Sequence, residues 1–236
     1  MSIFGTAMWY LVDLWGGHEY SHPGVAVWNA AVGLAFFVII CISVDKIRVA
    51  MNELFMLTRI DPLTGAMNWL GFEETSNKEL ERARRYGYPL SLAYLDVDNF
   101  KSVNDQHGHS VGDAVLKLTS GTIQSDIRDS DVLARLGGDE FAILLPQTES
   151  RGAKEVISRI QEKLLNAMQE HGWHVTFSIG VVTFVTKPSS MDEMIRITDN
   201  LMYSAKEQGR NRITFDVYRA AGVQEAAMYH AGEGEN

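Results

Sequence analysis

The feature that most constrains the fold is an uninterrupted apolar stretch near the start of the chain. Residues 25–44 read VAVWNAAVGLAFFVIICISV, a run of 20 residues without a charged side chain. As a helix this stretch is about 30 Å long, which matches the hydrocarbon core of a bilayer. A helix in the core of a soluble domain normally has a polar face, and here Asn29 is the one polar side chain of note. The stretch therefore predicts a transmembrane helix.

The charges around this stretch predict on which side of the membrane the rest of the chain lies. Residues 1–24 contain no Lys or Arg, whereas Lys46, Arg48 and Arg59 follow the stretch. By the positive-inside rule, the residues after it are cytoplasmic. Residues 1–24 are then a short extracytoplasmic segment. Its apolar stretch 3–15, which carries Asp13, is a re-entrant or interfacial segment, a shortened partner span or the remnant of a longer sensor, and these alternatives stay open. Since no basic region precedes it, we do not expect a cleaved signal peptide.

Residues 45–60 follow the predicted span with a helical repeat. Apolar residues recur there at spacings of 3, 4 and 3, namely Ile47, Ala50, Leu54 and Leu57. Such a seam is typical of paired helices, but two heptads are too few to form a dimer alone. The segment is therefore either a helical dimer linker or a plain connector, and Asp61-Pro62 ends it.

The remaining pattern predicts one mixed α/β (α+β) domain over residues 61–218, with a central sheet surrounded by helices. Helices are expected at 69–86, 111–127, 153–170 and 191–208, and strands at 90–97, 132–136, 141–145, 175–184 and 212–218. Most strand connections are expected to be antiparallel hairpins, mixed with crossovers. Residues 219–236 have no apolar period, which predicts a disordered tail.

Composition excludes several classes of partner and site. The formal net charge of −9 argues against a nucleic-acid-binding protein, which normally carries a basic face. A single cysteine, Cys41, rules out a disulfide or a thiolate metal site within one chain. Any phosphate ligand must therefore be held by local features.

Two groups of acids are expected to meet at one end of the sheet. The stretch RLGGDEFAILL predicts a β-hairpin in which Gly137 and Gly138 form the tight turn and Asp139 and Glu140 lie at its tip. Strand 90–97 ends in LDVDNFK, which places Asp96 and Asp98 on one face. If the two strands are neighbours, these carboxylates form an oxygen cage suited to Mg²⁺. If they are not, the acids are ordinary solvated residues.

Basic and amide side chains accompany the acids in two further stretches. NFKSVNDQHGHSVGD supplies Lys101 for a phosphate, backbone amides around Phe100, and Asn104 and Asp113 flanking a turn. A carboxylate and an amide suit the N1–H, N2–H₂ and O6 groups of guanine. AKEQGRNR places Lys206 and Arg210 four apart at a helix end, where they can meet phosphate oxygens or simply be solvated.

Together these stretches carry a family resemblance. RLGGDEF, with DPLTG, LDVDNFKSVNDQHGHSVGD, FSIGV and AKEQGRNR, resembles the GGDEF family of diguanylate cyclases from residue 61 to about residue 215. The resemblance implies a palm-like nucleotidyl-cyclase fold and a membrane-anchored homodimer of the bacterial inner membrane. It also implies condensation of two GTP into cyclic di-GMP, with two Mg²⁺ at each GTP site, in the signalling that regulates biofilm formation and motility.

The resemblance also implies roles for individual residues. Asp96, the Val97 main-chain carbonyl and Asp139 match metal ligands, and Glu140 matches the second signature acid near the ribose; Asp139 and Glu140 are the expected catalytic pair. The expected guanine, phosphate and backbone contacts are Asn104, Asp113, Lys101, Lys206, Arg210, Phe100, Gly137 and Gly138.

One further motif and one departure from the family pattern bear on regulation and packing. Arg128 and Asp131 match an RxxD site for inhibition by the product, with a surface ion pair as the alternative. Asn68 is followed by Trp69 where the family has an Asn-Arg pair, so we expect a charge contact there to be either missing or replaced by packing.

Three alternative functions stay open at the level of sequence. The chain could be a catalytically silent cyclic di-GMP receptor, a membrane-linked scaffold, or a cyclase with another nucleotide product. An intact signature argues against the receptor. The other two are to be separated by replacing Asp139, Asn104 and Asp113.

Overall fold

The computed structural model describes residues 24–219, and for residues 24–26, 30 and 50–57 it describes the backbone alone. The predictions for the segments before residue 24 and after residue 219 lie outside these residues. The helices are α1 Gly24–Leu57, α2 Trp69–Tyr86, α3 Phe100–His107, α4 His109–Gln124, α5 Ser150–Glu170 and α6 Met191–Glu207. The strands are β1 Leu90–Asp98, β2 Val132–Gly137, β3 Glu140–Pro146, β4 Thr176–Phe184 and β5 Arg212–Tyr218.

Helix α1 is continuous through the predicted span and most of the predicted linker. It forms a unit that is separate from the compact unit beginning at Thr58. Its segment Val27–Val49 has 23 residues and a mean hydropathy of 2.3, so its length and composition suit a membrane span. Residues 31–49 are all exposed. The helix ends at Leu57, four residues before Asp61, so Asp61-Pro62 is not what ends it.

The sheet of the second unit has the strand order β2-β3-β1-β4-β5. Strand β1 is central and pairs antiparallel with β3 and β4, while β5 pairs parallel with β4. The predicted fold class, a mixed sheet surrounded by helices, is confirmed. At one edge the Met67 N–H donates to the Leu133 carbonyl at 3.0 Å, and the Arg135 N–H donates to the Met67 carbonyl at 2.8 Å, so the segment before α2 covers β2.

Strand alternation divides the side chains of β1 between two helical layers. Ala93, Leu95 and Val97 belong to the hydrophobic cluster that includes residues of α4 and α5, whereas Leu90 and Leu92 belong to the cluster that includes residues of α2 and α6. Because side chains alternate along a strand, the polar residues Tyr94, Asp96 and Asp98 lie on the side of α2 and α6. The sheet thus places two carboxylates beneath the C-terminal end of α6.

Helix α6 lies directly on β4 because of one glycine. A Cβ added at Gly180 would overlap the backbone nitrogen of Met202 and the carbonyl oxygen of Thr198. Any side chain at residue 180 would therefore push the helix away from the sheet. This close approach brings the last turn of α6 to the β1 aspartates.

Helix α3 is the one element in residues 61–218 that the sequence prediction missed. The region was interpreted as a loop because its polar residues have no extended apolar period, and Val103 is its only buried residue. Asn99, with φ 60°, turns the chain from β1 into the helix. Gly108, with φ 82°, then separates α3 from α4. Helix α4 was predicted at 111–127; it begins two residues earlier and ends three residues earlier.

Candidate active site

The end of β1 and the tip of the β2–β3 hairpin lie side by side. Asp96 is opposite Glu140 in the β1–β3 register. The Val97 N–H donates a hydrogen bond to the Asp139 carbonyl at 3.2 Å. The structure therefore brings together the strand-end and hairpin acids, as the predicted oxygen cage requires.

The Asp96 carboxyl lies in a strongly acidic, poorly solvated position. It is only 6% exposed, and this burial raises its pKa above the usual range. The Lys206 ammonium, 2.6 Å from Asp96 Oδ2, opposes that shift, while the charges of Asp139 and Glu140 add to it. Burial and the two neighbouring carboxylates outweigh the ammonium, so the pKa of Asp96 lies above its ordinary value. Further positive charge is thus favoured at this position.

This donor set fits Mg²⁺ that completes its coordination with phosphate and water. Within residues 24–219, no group of three or more His, Cys, Asp or Glu side chains forms a ready-made metal cage. Asp96, Asp139 and the Val97 carbonyl offer oxygen ligands alone, the type that Mg²⁺ prefers, and they leave positions open. Lys206 already shows that a cation is stable against Asp96. The residues therefore fit a metal bound together with a triphosphate.

Tyr94 orients Glu140, a role that the sequence interpretation missed. Its hydroxyl donates to Glu140 Oε2 at 3.0 Å. Burial and the charge of Glu140 raise the pKa of Tyr94, so the phenol stays protonated and continues to donate. The signal was present in the sequence, since Tyr94 lies two residues before Asp96 and alternation puts both on one face.

The hairpin turn differs in one detail from the predicted turn. Gly138 has a left-handed conformation with φ 47°, whereas Gly137 is the last residue of β2 and pairs with Glu140. The turn is therefore made by Gly138 and Asp139, not by Gly137 and Gly138. The β2–β3 register shifts between Arg135 and Gly137, which inserts a bulge just before the turn.

Arg135 ties this turn to the segment before α2, and the sequence interpretation assigned it no role. Its Nε and Nη2 donate to the Gly138 carbonyl at 2.9 and 2.6 Å, and its Nη1 donates to Asp61 Oδ1 at 3.2 Å. Burial acts to raise the pKa of Asp61, but hydrogen bonds from Thr64 and the Arg135 charge outweigh it, and the pKa lies below its ordinary value. Asp61 is thus an ionised anchor for the turn.

The predicted guanine-reading residues lie on the α3–α4 helix pair. Asn104 is on α3 and the exposed Asp113 on α4, and the two helices pack closely because residue 112 is glycine. A Cβ at Gly112 would overlap Asn104 Oδ1 and approach Phe100 Cζ to 3.2 Å. The structure therefore holds the Asn104 amide against Gly112, next to Asp113 in the chain. Lys101 is exposed on the first turn of α3.

Lys206 and Arg210 both reach the β1 aspartates, although they do not share a helix face. Helix α6 ends at Glu207, and Gly209, with φ 111°, turns the chain so that Arg210 lies in a left-handed turn with φ 59°. The prediction that both residues lie on one helix end is wrong for this reason. Lys206 contacts Asp96, and Arg210 Nε lies 4.0 Å from Asp98 Oδ1.

Arg128 and Asp131 form a separate site at the other end of β2. The Arg128 N–H donates to Asp131 Oδ2 at 2.9 Å, and the Asp131 N–H donates to the Arg128 carbonyl at 2.9 Å. Among the described residues, Asp131 Oδ1 is buried without a hydrogen-bond partner. Strand β2, six residues or about 20 Å long, separates this pair from the acidic turn.

Asn68 and Trp69 have packing and capping roles at the start of α2. Asn68 Oδ1 accepts a hydrogen bond from the Gly71 N–H at 2.9 Å and so caps the helix. Trp69 is half-buried and packs against the cluster formed with α2 and α6. Packing thus stands where the family pattern has a charged residue.

Comparison with known proteins gives relatives along most of the chain. The chain is 34% identical to diguanylate cyclase DosC of Escherichia coli over 194 residues, which cover 78% of this chain and 42% of DosC. It is 31% identical to the uncharacterized protein YhcK of Bacillus subtilis over 220 residues, which cover 91% of this chain and 60% of YhcK. The chain thus spans between 42% and 60% of the length of these relatives.

A solved structure and a family profile agree with these relatives. The GGDEF domain of DgcB from Caulobacter crescentus, solved in complex with c-di-GMP, superposes with a TM-score of 0.60 at 26% identity and covers 67% of this chain and 93% of its own. The profile of the family described as "Diguanylate cyclase, GGDEF domain" matches residues 58–212. With the acidic hairpin placed beside the end of β1, this match shows that the chain belongs to the GGDEF-domain diguanylate cyclase family.

Proposed function

We propose that this chain condenses two GTP molecules into cyclic di-GMP and releases two pyrophosphates. The observation that supports this most is the convergence of Asp96, Asp139 and Glu140, with a lysine, at the end of β1. Such a site suits phosphoryl transfer, because it can hold metal-bound phosphates and leave the reacting centre open. The name of DosC describes the same activity.

The reaction balances as two successive transfers. The 3′-oxygen of one GTP forms a bond to the α-phosphorus of the other, and the bond from that phosphorus to its bridging oxygen breaks, so pyrophosphate leaves. The same step with the roles exchanged closes the ring. Two Mg²⁺ held by Asp96, the Val97 carbonyl and Asp139 would neutralise phosphate charge and make the 3′-hydroxyl easier to deprotonate. The proton passes to Asp139, Glu140 or water.

In this proposal each side chain has a defined task at the substrate. Asn104 and Asp113 bind the guanine edge, and Glu140, oriented by Tyr94, lies near the ribose. The phosphate contacts come from Lys101, Lys206 and Arg210, and the amides of Phe100, Gly137 and Gly138 lie along the nucleotide. Asp96 is opposite Glu140 and beside Asp139, so a bound cation would reduce the repulsion between these carboxylates.

The proposed reaction requires a homodimer, and the apolar segment of α1 supports a location in the bacterial inner membrane. Each domain binds one GTP, so two domains must face each other for the 3′-oxygen of one nucleotide to reach the other. Helix α1, with its exposed apolar segment Val27–Val49, would anchor the protein and bring two copies together, with the catalytic domain in the cytoplasm. The partners proposed for the chain are therefore GTP, cyclic di-GMP, the membrane and a second copy.

The decisive test is turnover of GTP by the full chain purified in detergent with Mg²⁺. Chromatography should show cyclic di-GMP and pyrophosphate, and Asp139→Ala should lose at least about 100-fold in rate, since it removes a metal ligand. Asp216→Ala, an exposed acid on β5, is the matched control and should keep the wild-type rate. Nucleotide binding without product in the wild type would instead identify a silent receptor, and an unchanged rate in Asp139→Ala would reject the site.

Base selection is tested at the α3–α4 helix pair. Asn104→Ala and Asp113→Ala should each weaken GTP use by about tenfold and narrow the preference of GTP over ATP, because a buried base edge loses its partner. Turnover of both nucleotides is measured side by side. An unchanged preference in both variants would show that guanine is bound elsewhere.

We also propose that Arg128 and Asp131 bind the product and inhibit the enzyme. The exposed Arg128 side chain supports this, because it lies beside Asp131 in a turn closed by the Arg128 N–H bond to Asp131 Oδ2 at 2.9 Å and can meet a product phosphate. Arg128→Ala should raise the cyclic di-GMP concentration for half-inhibition by at least about tenfold without lowering the initial rate. Asp129→Ala, at one of the two unspecified positions between Arg128 and Asp131, should be inhibited like the wild type. Equal sensitivity of the Arg128 and Asp129 variants to cyclic di-GMP would reject the site.

A further inference from the structure

Asp98 is the second aspartate of β1, and its carboxylate is fully engaged in a buried site. The residue is 1% exposed. The Thr176 hydroxyl and the Asn211 N–H donate to its Oδ2 at 2.7 and 3.1 Å, and the Ser178 hydroxyl donates to its Oδ1 at 2.7 Å. A buried carboxylate is tolerated only when its oxygens are satisfied in this way. Asp98 is thus built into the protein and does not face a ligand, unlike Asp96.

The chain segment that Asp98 holds is a strained turn. Gly209, Arg210 and Asn211 all have positive φ, at 111°, 59° and 47°. Non-glycine residues rarely adopt this conformation, and two in succession persist only where the surroundings fix them. One tie is the Arg210 N–H, which donates to the Ala205 carbonyl at 3.1 Å. The Gly209 N–H also donates to the Lys206 carbonyl and the Arg212 Nε to the Arg210 carbonyl, each at 3.3 Å. The Asn211 N–H donates to Asp98, which is the tie from the turn to the sheet.

The turn carries one of the proposed phosphate contacts. Arg210 has a side chain that is 54% exposed, and its Nε lies 4.0 Å from Asp98 Oδ1. Asp98 therefore fixes the backbone on which Arg210 stands and also places a negative charge behind its guanidinium. Released from Asp98, the turn would relax toward ordinary φ values, and the direction of Arg210 would change.

We propose that Asp98 is a positioning residue that anchors the left-handed turn at residues 209–211 and so aims Arg210 at the triphosphate of GTP. The proposal rests on the proposed function, since it assigns Arg210 to that substrate. It separates the roles of two acids that lie two residues apart on one face: Asp96 faces the metal and phosphates, and Asp98 supports the cation that meets them.

The test is Asp98→Asn in the full chain, which keeps the shape and removes the charge. The KM for GTP should rise about tenfold while kcat stays within about threefold, because the lost contact acts on bound phosphate. Direct titration should show weaker binding of a nonhydrolysable GTP analogue but unchanged binding of GMP, which lacks the β- and γ-phosphates. Thr176→Val, a milder variant that removes one donor to Asp98, should change the same quantities in the same direction.

Two controls separate positioning from general damage. Ser91→Ala removes a buried hydroxyl contact of 2.8 Å to Thr183. This contact joins β1 to β4, as the contacts of Asp98 do, but at the other end of the two strands, so the KM for GTP should stay unchanged. In the Arg210→Ala background, Asp98→Asn should raise KM no further, because both changes act through one side chain. Additive effects, equal weakening of GTP analogue and GMP, or a fall in kcat alone would overturn the proposal.

Failure of this proposal can be told apart from failure of the proposed function. If the wild type makes no cyclic di-GMP, the titrations still compare the GTP analogue with GMP, and weakening of the analogue alone in Asp98→Asn supports positioning. If the wild type binds the analogue no better than GMP, the proposal is overturned with the function.

Discussion

At the scale of single residues, the acidic site depends on neutral side chains as much as on its carboxylates. Glu140 and Asp96 are opposite each other in the register, and without a constraint two such charges would move apart. Tyr94 supplies the constraint, because its hydroxyl donates to Glu140 and burial keeps that hydroxyl protonated.

Tyr94→Phe tests this constraint with the loss of one oxygen atom. We expect kcat to fall about tenfold, the cost of one hydrogen bond to a charged group, with little change in the urea concentration at mid-unfolding. The measurement is GTP turnover beside urea unfolding. Tyr203→Phe, an exposed tyrosine on α6, is the matched control and should keep full activity. A Tyr94→Phe enzyme with the wild-type kcat would mean that Glu140 needs no orienting partner.

At the scale of elements, the α3–α4 pair offers a substitution that acts on a binding side chain through packing. Gly112→Ala introduces a methyl group where Asn104 Oδ1 lies. Because that atom is the end of a flexible side chain, it can move, so the domain should stay folded while Asn104 leaves its position. KM for GTP should rise about tenfold, as for Asn104→Ala. Gly121→Ala, on α4 where the added methyl meets open space, should leave KM unchanged.

An ion-pair cluster joins α5 to the residues after α4, and it predicts a pH dependence of stability. Arg159 Nε contacts Asp126 Oδ2 at 2.7 Å, and Lys163 contacts Oδ1. Burial acts to raise the pKa of Asp126. The two cations lower it by more than burial raises it, so the pKa lies below its ordinary value of 3.8. A depressed pKa gives stability that is present above the unfolded value and is lost as pH falls through the folded value.

Asp126→Asn should therefore lower the free energy of unfolding by about 1–2 kcal/mol at pH 7. The difference from the wild type should stay constant down to about pH 5 and shrink below about pH 4, where the carboxyl is protonated first in the unfolded chain and, at lower pH, in the folded protein. Urea unfolding at several pH values measures it. Glu155→Gln breaks the exposed pair with Arg151 and should cost less than about 0.5 kcal/mol. A difference that grows on acidification would contradict the assignment.

Helices and strands with a regular spacing of apolar residues could be predicted from the sequence. Elements that depend on tertiary contacts could not. Helix Trp69–Tyr86 has the predicted bounds because Asn68 caps its start and Gly87, with φ 75°, ends it. Helix α3 was missed because Val103 is its only buried residue, so its eight residues carry no apolar period that could indicate a helix.

The same limit applies within the site. The acids were expected together, and they are together, because strand ends and hairpin tips are local features. The roles of Arg135 and Asp98 could not be predicted, because their partners lie 74 and 113 residues away along the chain, at Asp61 and Asn211.

At the scale of the whole molecule, the proposed reaction, which requires two GTP-binding domains, predicts that specific activity depends on protein concentration. Specific activity of the full chain in detergent should rise with enzyme concentration and then level off as dimers form. Light scattering under the same conditions should show the dimer over the same range. Specific activity that stays constant while the protein is a monomer would refute the need for two copies.

The exposed apolar segment of α1 gives a second prediction at this scale. Phe36→Arg places a charge near the middle of Val27–Val49 and should cost about 2.5–3.5 kcal/mol of insertion free energy, which moves the protein out of the membrane fraction. Ile47→Arg, near the end of the segment, should cost much less because the side chain can reach the headgroups. Equal membrane retention of both variants would argue that α1 does not span.

The segment that covers β2 also bears on the solubility of the protein. Edge strands expose unpaired N–H and C=O groups that recruit strands of other chains, and Met67 pairs with β2 at this edge. A protein shortened to begin at Trp69 would keep every strand but uncover that edge, and we expect it to precipitate where one beginning at Thr58 stays dissolved. We therefore expect residues 58–68, at the start of the compact unit, to protect the edge of the sheet from self-association.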